Sequence, residues 1–229
     1  MSTFAQWAPA ALALVLVISP GVWRLSRNVI TIAHEGGHAL VALLTGRRLS
    51  GIKLHSDTSG VTVSRGRPTG LGMVLTAFAG YVTPSLLGLG AAALVVAGNT
   101  RPLLWATVVL LGLMLVMIRN VFGVLSVVVT GGVVFVVSWY AAADVQAAFG
   151  LFVAWFLLLG GVRPVGELQA KRARRQAPGS DADQLGRLTG VPGLLWVFVF
   201  GVVALGCLFL GGRMLLPPLW EGVADLVAG

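Results

Sequence analysis

His34, Glu35 and His38 fall in the run Thr31-Ile32-Ala33-His34-Glu35-Gly36-Gly37-His38-Ala39-Leu40, whose other members are mostly apolar or small. Residues at i and i+4 share one helix face, about 6 Å apart along the axis, so both imidazoles can reach one metal ion. Glu35 projects beside that pair, where it can take a proton from water activated by the ion. A carboxylate deep in a membrane costs roughly 2.5–3.5 kcal/mol on insertion scales, and a divalent cation offsets that cost. Without a metal, the same residues would be a helix-packing histidine pair with a glutamate facing a water-filled crevice. Gly36 and Gly37 would let a neighbouring helix approach closely in either case.

Two histidines do not complete a catalytic zinc site, which takes three protein ligands and one open position. The remaining histidine, His55, lies in a polar segment beside Asp57 and reads as a solvated loop residue. The other carboxylates are Asp57, Asp144, Glu167, Asp181, Asp183, Glu221 and Asp225. Glu221 and Asp225 sit far along the C-terminal tail, and Asp144 sits in a loop at the other end of the spans. Glu167, Asp181 and Asp183 precede the last apolar run. Ser180-Asp181-Ala182-Asp183 also suits a helix N-cap with an acidic first turn, and the cap and ligand roles can coexist there.

These residues need a scaffold, and the composition defines it. Of 229 residues, 57% are hydrophobic and 10% charged, with a mean hydropathy of +0.91. A soluble domain carries about 25% charged residues, and a disordered chain lacks apolar ones, so both classes are excluded. Apolar runs at about 4–18, 22–44, 71–97, 103–118, 121–143, 145–162 and 194–210 predict an all-α polytopic membrane protein. The count is seven spans, or six if the first run lies in the interface. No period-two pattern of a membrane barrel is present. No Lys or Arg precedes the first run, so it reads as a retained segment rather than a cleavable signal. The lone cysteine, Cys207, permits no disulfide framework.

The net charge of +8 points to anionic lipid rather than nucleic acid as the partner. Arg47, Arg48, Lys53, Arg65 and Arg67 crowd the 47–67 segment, and Arg163, Lys171, Arg172, Arg174, Arg175 and Arg187 the 163–187 loop. The positive-inside rule places both in the cytoplasm, with Arg119 on the same side. In the seven-span arrangement the N-terminus is inside and the C-terminus outside. Within 49–64, alternating Ile52 and Leu54, a turn at Asp57-Thr58-Ser59-Gly60, and alternating Val61 and Val63 predict a β-hairpin. It either covers the bundle or offers a strand edge to an extended substrate. The chain reads as one domain over 1–229, in a cell membrane.

With its motif in a membrane helix, the sequence resembles the site-2 protease family of intramembrane zinc metallopeptidases (peptidase family M fifty), in its B-like branch. The likeness extends to Gly46-Arg47-Arg48, Gly60-Val61-Thr62-Val63, Ala79-Gly80-Tyr81-Val82-Thr83-Pro84, Arg119-Asn120-Val121-Phe122-Gly123 and Ser180-Asp181-Ala182-Asp183. The resemblance implies zinc on His34 and His38, Glu35 as general base, and an Asp entering a later core helix as third ligand. Asp181 fits the branch's Ser-Asp pattern, with Asp183 as the alternate, since no Leu-Asp-Gly occurs. The family's Asn after the conserved proline is missing here, and Asn120 is a candidate oxyanion or substrate-positioning residue, or a helix cap. The implied activity is hydrolysis of peptide bonds in membrane-spanning substrates. Two alternatives are a prenyl-protein-type protease using Glu167 as ligand, and an inactive relative acting as scaffold or chaperone. Oligomeric state is not legible.

Overall fold

The computed structural model describes residues 3–216, which leaves Glu221 and Asp225 outside the described residues. The chain begins with α1 (Thr3–Ile18) and α2 (Pro20–Leu44), followed by β1 (Arg48–Leu54) and β2 (Gly60–Arg65). Helices α3 (Leu71–Val96), α4 (Thr100–Met117), α5 (Val121–Tyr140) and α6 (Ala143–Ala173) come next. A short α7 (Asp181–Thr189) leads into α8 (Gly193–Leu215).

Pro20 opens α2 at a position where its fixed φ suits a helix and its missing N–H is not needed. Ser19 before it is extended, at φ −74° and ψ 114°, and α1 meets α2 at 104°. Helices α3, α4, α5, α6 and α8 are each long and apolar enough to cross a membrane. The bent α1–α2 pair supplies a sixth span when taken together. With 16 residues, α1 is only about 24 Å long, and α2 carries Arg24, Arg27 and Glu35 along with the histidines. Runs 4–18 and 22–44, expected as two spans, are thus two limbs of one bent unit. The described residues thus hold five such helices, and six spans if the bent pair is one of them.

Outward faces of the bundle remain apolar. Leu110, Leu113 and Val116 on α4, Val128 and Val129 on α5, and Phe198 and Val202 on α8 are all exposed. Such continuous apolar surface belongs against lipid rather than water.

Inside, small residues set the helix spacing. A Cβ on Gly88 would lie 2.8 Å from the Leu158 backbone nitrogen, and one on Gly161 would overlap Ser85, so α3 and α6 pack antiparallel through these pairs. Gly201 faces Val165 and Gly212 faces Trp155, which runs α8 antiparallel to α6. The start of α3, the end of α6 and the start of α8 therefore lie at one end of the bundle. The hairpin segment and the α6–α7–α8 connections both emerge there, as the charge pattern leads one to expect.

The hairpin is antiparallel, with Leu54 opposite Gly60 and Ile52 opposite Thr62, and a bulge between Leu49 and Gly51. Its turn dips onto α2: Thr58 is buried, and its carbonyl accepts the Thr31 hydroxyl at 2.9 Å. At the exposed tip, the Asp57 carboxylate accepts from the Ser59 hydroxyl at 2.6 Å and amide at 3.0 Å, which holds its pKa below the ordinary value. The outer edge of β1 is occupied by the α4–α5 junction. Ile52 bridges Ile118 in parallel, and the Arg119 amide donates to the Ile52 carbonyl at 2.9 Å. Only β2 keeps an edge without a backbone partner among the described residues.

Candidate metal centre

Helix α2 is amphipathic, and it turns His34 and His38 toward α3 and α7. His38 Nδ1 donates to the Thr76 carbonyl at 2.7 Å, so the proton sits on Nδ1 and Nε2 keeps its lone pair. The His34 ring meets His38 and Tyr81 edge-on, with centroids 4.7 and 4.8 Å away. Tyr81 in turn stacks on Phe200 of α8 at 4.9 Å. The imidazole pair is therefore oriented by α3, with α8 behind it.

Asp181, the first residue of α7, completes the group. Its Oδ2 lies 3.3 Å from both His34 Nε2 and His38 Nε2, and the two nitrogens are 3.1 Å apart. Ligands about 2.05 Å from a tetrahedral zinc are about 3.3 Å from one another. The three atoms thus mark one face of a tetrahedron of the right size, with the fourth corner left for water or substrate. Among the described residues this is the one group of three that could hold a metal ion.

The same short helix sorts the two acids. Ser180 is its N-cap: the Asp183 amide donates to Ser180 Oγ at 3.4 Å, and Ser180 Oγ donates to Asp183 Oδ2 at 3.0 Å. Asp183 also pairs with Arg172. Asp183 is therefore engaged in the cap while Asp181 faces the imidazoles. Ala182 and Leu185 of α7 are buried beside Ala77, Val82 and Phe200, which fixes the helix against α3 and α8.

Glu35 is 3% exposed and sits beneath the hairpin. Its Oε2 accepts the Thr62 hydroxyl at 2.6 Å, and the same hydroxyl lies 3.1 Å from the Glu35 carbonyl. A Cβ on Gly60 would come within 2.5 Å of the Glu35 side chain, so the start of β2 must be glycine to leave the carboxylate its place. The hairpin and the motif helix together thus position this group.

The other candidates lie elsewhere. Glu167 accepts from Trp23 Nε1 at 2.8 Å and Arg163 Nε at 3.0 Å, and pairs with Arg27 at 3.4 Å. His55 is exposed at the hairpin turn, 3.2 Å from Ser59 Oγ. Asp144 occupies the first turn of α6, far along that helix from Glu167. Asn120 takes the N-cap position of α5 but makes no cap bond with its side chain. Its carboxamide instead brackets Leu54, accepting from the amide at 3.1 Å and donating to the carbonyl at 2.6 Å. Both ends of that side chain hold β1 in place, and neither makes the helix cap.

Gly80, Thr62 and Thr76 carry no role legible in the sequence, and Gly60 carries one only in the hairpin turn. Gly80 is the most consequential, because a Cβ there would fall 2.6 Å from His34 Nε2 and overlap His38 Nε2 as well. The missing side chain is the space into which the ligand atoms converge. Gly80→Ala is therefore expected to weaken metal binding at least about tenfold, the scale seen when residues supporting metal ligands are altered. Competition with a chelator measures it, and unchanged affinity would show that the imidazoles do not need this gap.

Comparison with curated proteins and with solved structures finds no match. A sequence model described as Peptidase M50B-like matches residues 7–211, which take in the histidine motif, the hairpin, Gly80 and Asp181. With its several long apolar helices, the chain is an integral membrane protein, and it belongs to the M50B-like peptidase family.

Proposed function

We propose that this protein is a zinc endopeptidase that hydrolyses peptide bonds of membrane-spanning substrates within the cell membrane. The observation that carries this reading is the convergence of His34, His38 and Asp181 at tetrahedral spacing, with Glu35 buried on the same helix one residue after His34. When bound, zinc supplies Lewis acidity toward water and toward the scissile carbonyl. Glu35 takes the proton from the attacking water and hands it to the leaving amine. Thr62 holds the carboxylate in place through Oε2, which leaves Oε1 for proton transfer. The Thr76 carbonyl fixes the His38 tautomer throughout.

A helical substrate hides its carbonyls and must unwind to be cut. The open edge of β2 can pair with such an extended segment, since the α4–α5 junction blocks the edge of β1. Val61 and Val63 point outward from β2 and Thr62 points to Glu35, so a strand added there runs past the base. The 47–67 segment and the 163–187 loop face the cytoplasm in this proposal, following their Lys and Arg content.

Two experiments test the proposal. Purified protein in detergent should carry one zinc per chain and cleave a single-span peptide, with cleavage lost on chelation and restored by zinc. Protein without zinc and without cleavage would support the scaffold reading instead. Single cysteines placed in 47–67 and 163–187 should escape an impermeant thiol reagent in intact cells, and labelling of either segment would overturn the orientation.

A further inference from the structure

The metal centre has a polar neighbour. A cavity of about 270 Å³ lies between α2, α3, α6 and the loop that enters α7, lined by Arg27, Tyr81, Glu167, Lys171, Gln176 and Ser180 among others. At about 30 Å³ per water it has room for a phosphate group and its remaining hydration.

Its unspent hydrogen-bonding capacity is mostly that of donors. Both oxygens of Glu167 are committed, to Trp23 and Arg163 on one side and Arg27 on the other. The Arg27 side chain is 26% exposed and has that one ion pair, at 3.4 Å, for its guanidinium. A guanidinium carries five N–H donors, so most of them have no protein acceptor. Lys171 is exposed on the cavity wall, and its ammonium has no partner among the described residues. Among the lining side chains Arg27 and Lys171 outweigh the single Glu167, so an entering anion meets net positive charge.

The position selects the anion. Here α6 leaves its apolar stretch for the charged run from Arg163 to Arg175, and Trp23 lies under the Arg163 guanidinium at 4.8 Å. Trp with Arg and Lys marks the headgroup level of a membrane, where lipid phosphates are dense. Arginine matches phosphate with paired N–H bonds, and lysine adds a point charge. We propose that this cavity binds the phosphate of an anionic phospholipid headgroup between Arg27 and Lys171. Its walls adjoin the metal ligands: Ser180 directly precedes Asp181, and Tyr81 packs edge-on against His34. On the reading of the function given above, a bound headgroup fastens the segment carrying Asp181 to the helix carrying His34 and His38.

The test uses full-length protein from bilayers of equal parts phosphatidylcholine and phosphatidylglycerol, extracted into detergent for native mass spectrometry. One phosphatidylglycerol should stay bound. Lys171→Gln should reduce its retention about five- to tenfold, the scale of one cation at a membrane surface. Lys171→Glu and Arg27→Gln should abolish it, and Arg187→Gln, outside the cavity, should leave it unchanged. Because Lys171 has no partner to lose, its variants separate lipid loss from misfolding. Equal retention of phosphatidylcholine, or full retention in Lys171→Glu, would overturn the proposal. Displacement by low millimolar inorganic phosphate would assign the cavity to free phosphate instead. Retention unchanged, with cleavage altered only for substrates bearing an acidic residue, would assign it to the peptide. Lipid retention is read without turnover or zinc, so the site stands or falls apart from the proposed proteolysis.

Discussion

Replacing Glu35 by glutamine is expected to lower the turnover number by at least about 100-fold while zinc stays bound at full stoichiometry. The amide keeps the volume of the carboxylate, and its oxygen can still accept the Thr62 hydroxyl that now lies 2.6 Å from Oε2. Thr62 and Gly60 therefore keep their packing, and the hairpin stays docked on α2. What disappears is the ability to take a proton from water at neutral pH. Removal of buried charge should leave thermal stability unchanged or raised. Paired measurement of zinc content and cleavage rate checks this. Loss of zinc together with activity would make Glu35 a ligand rather than a base.

Asp181→Ala and Asp183→Ala should differ sharply although the two residues share one turn. Asp181 Oδ2 is within 3.3 Å of both imidazole nitrogens, so its loss removes one corner of the site. Loss of a supporting residue costs about 10- to 100-fold in metal affinity, so loss of a ligand should exceed 100-fold, and activity should fall with it. Asp183 contributes to the N-cap at Ser180 and pairs with a partly exposed Arg172. Partial burial opposes its ionisation, and hydrogen bonds from Arg172 and Ser180 more than offset this, holding its pKa below the ordinary value. That contribution is present above the unfolded carboxylate pKa and fades as pH falls through the folded one. Asp183→Ala should therefore cost about 1 kcal/mol or less near pH 7 and keep zinc. Chelator competition on both variants measures the difference, and the reverse result would move the ligand two residues along α7.

The contrast between these two acids also shows where the sequence was informative. Ser180 followed three residues later by an acid is the signature of a capping box, with that acid turned back onto the cap. This pattern suits Asp183 to the cap, but in the sequence alone cap and ligand roles fit either acid, and only the packing of α7 turns Asp181 to the imidazoles. The His34–His38 pair was legible because one helical turn fixes both side chains without any distant contact. Asn120 was not, because its partner Leu54 is 66 residues away and the polar break at 119–120 looks the same whether it caps α5 or clamps a strand. Gly80 was equally hidden: within an apolar run a glycine reads as helix packing, and only the approach of α3 to α2 reveals the space it leaves. The hairpin was visible from alternation and its turn, but the turn's descent onto Thr31 depends on tertiary structure. The choice between six and seven spans stays open in the sequence because Pro20 punctuates the chain like a loop while serving as the first residue of a helix.

The most direct test is an anomalous-difference map at the zinc absorption edge from crystals of zinc-loaded protein. The account predicts one strong peak about 2.0–2.2 Å from His34 Nε2, His38 Nε2 and a carboxylate oxygen of Asp181. No peak between these residues, or a peak whose third protein ligand is Asp183, Glu167 or His55, would contradict it.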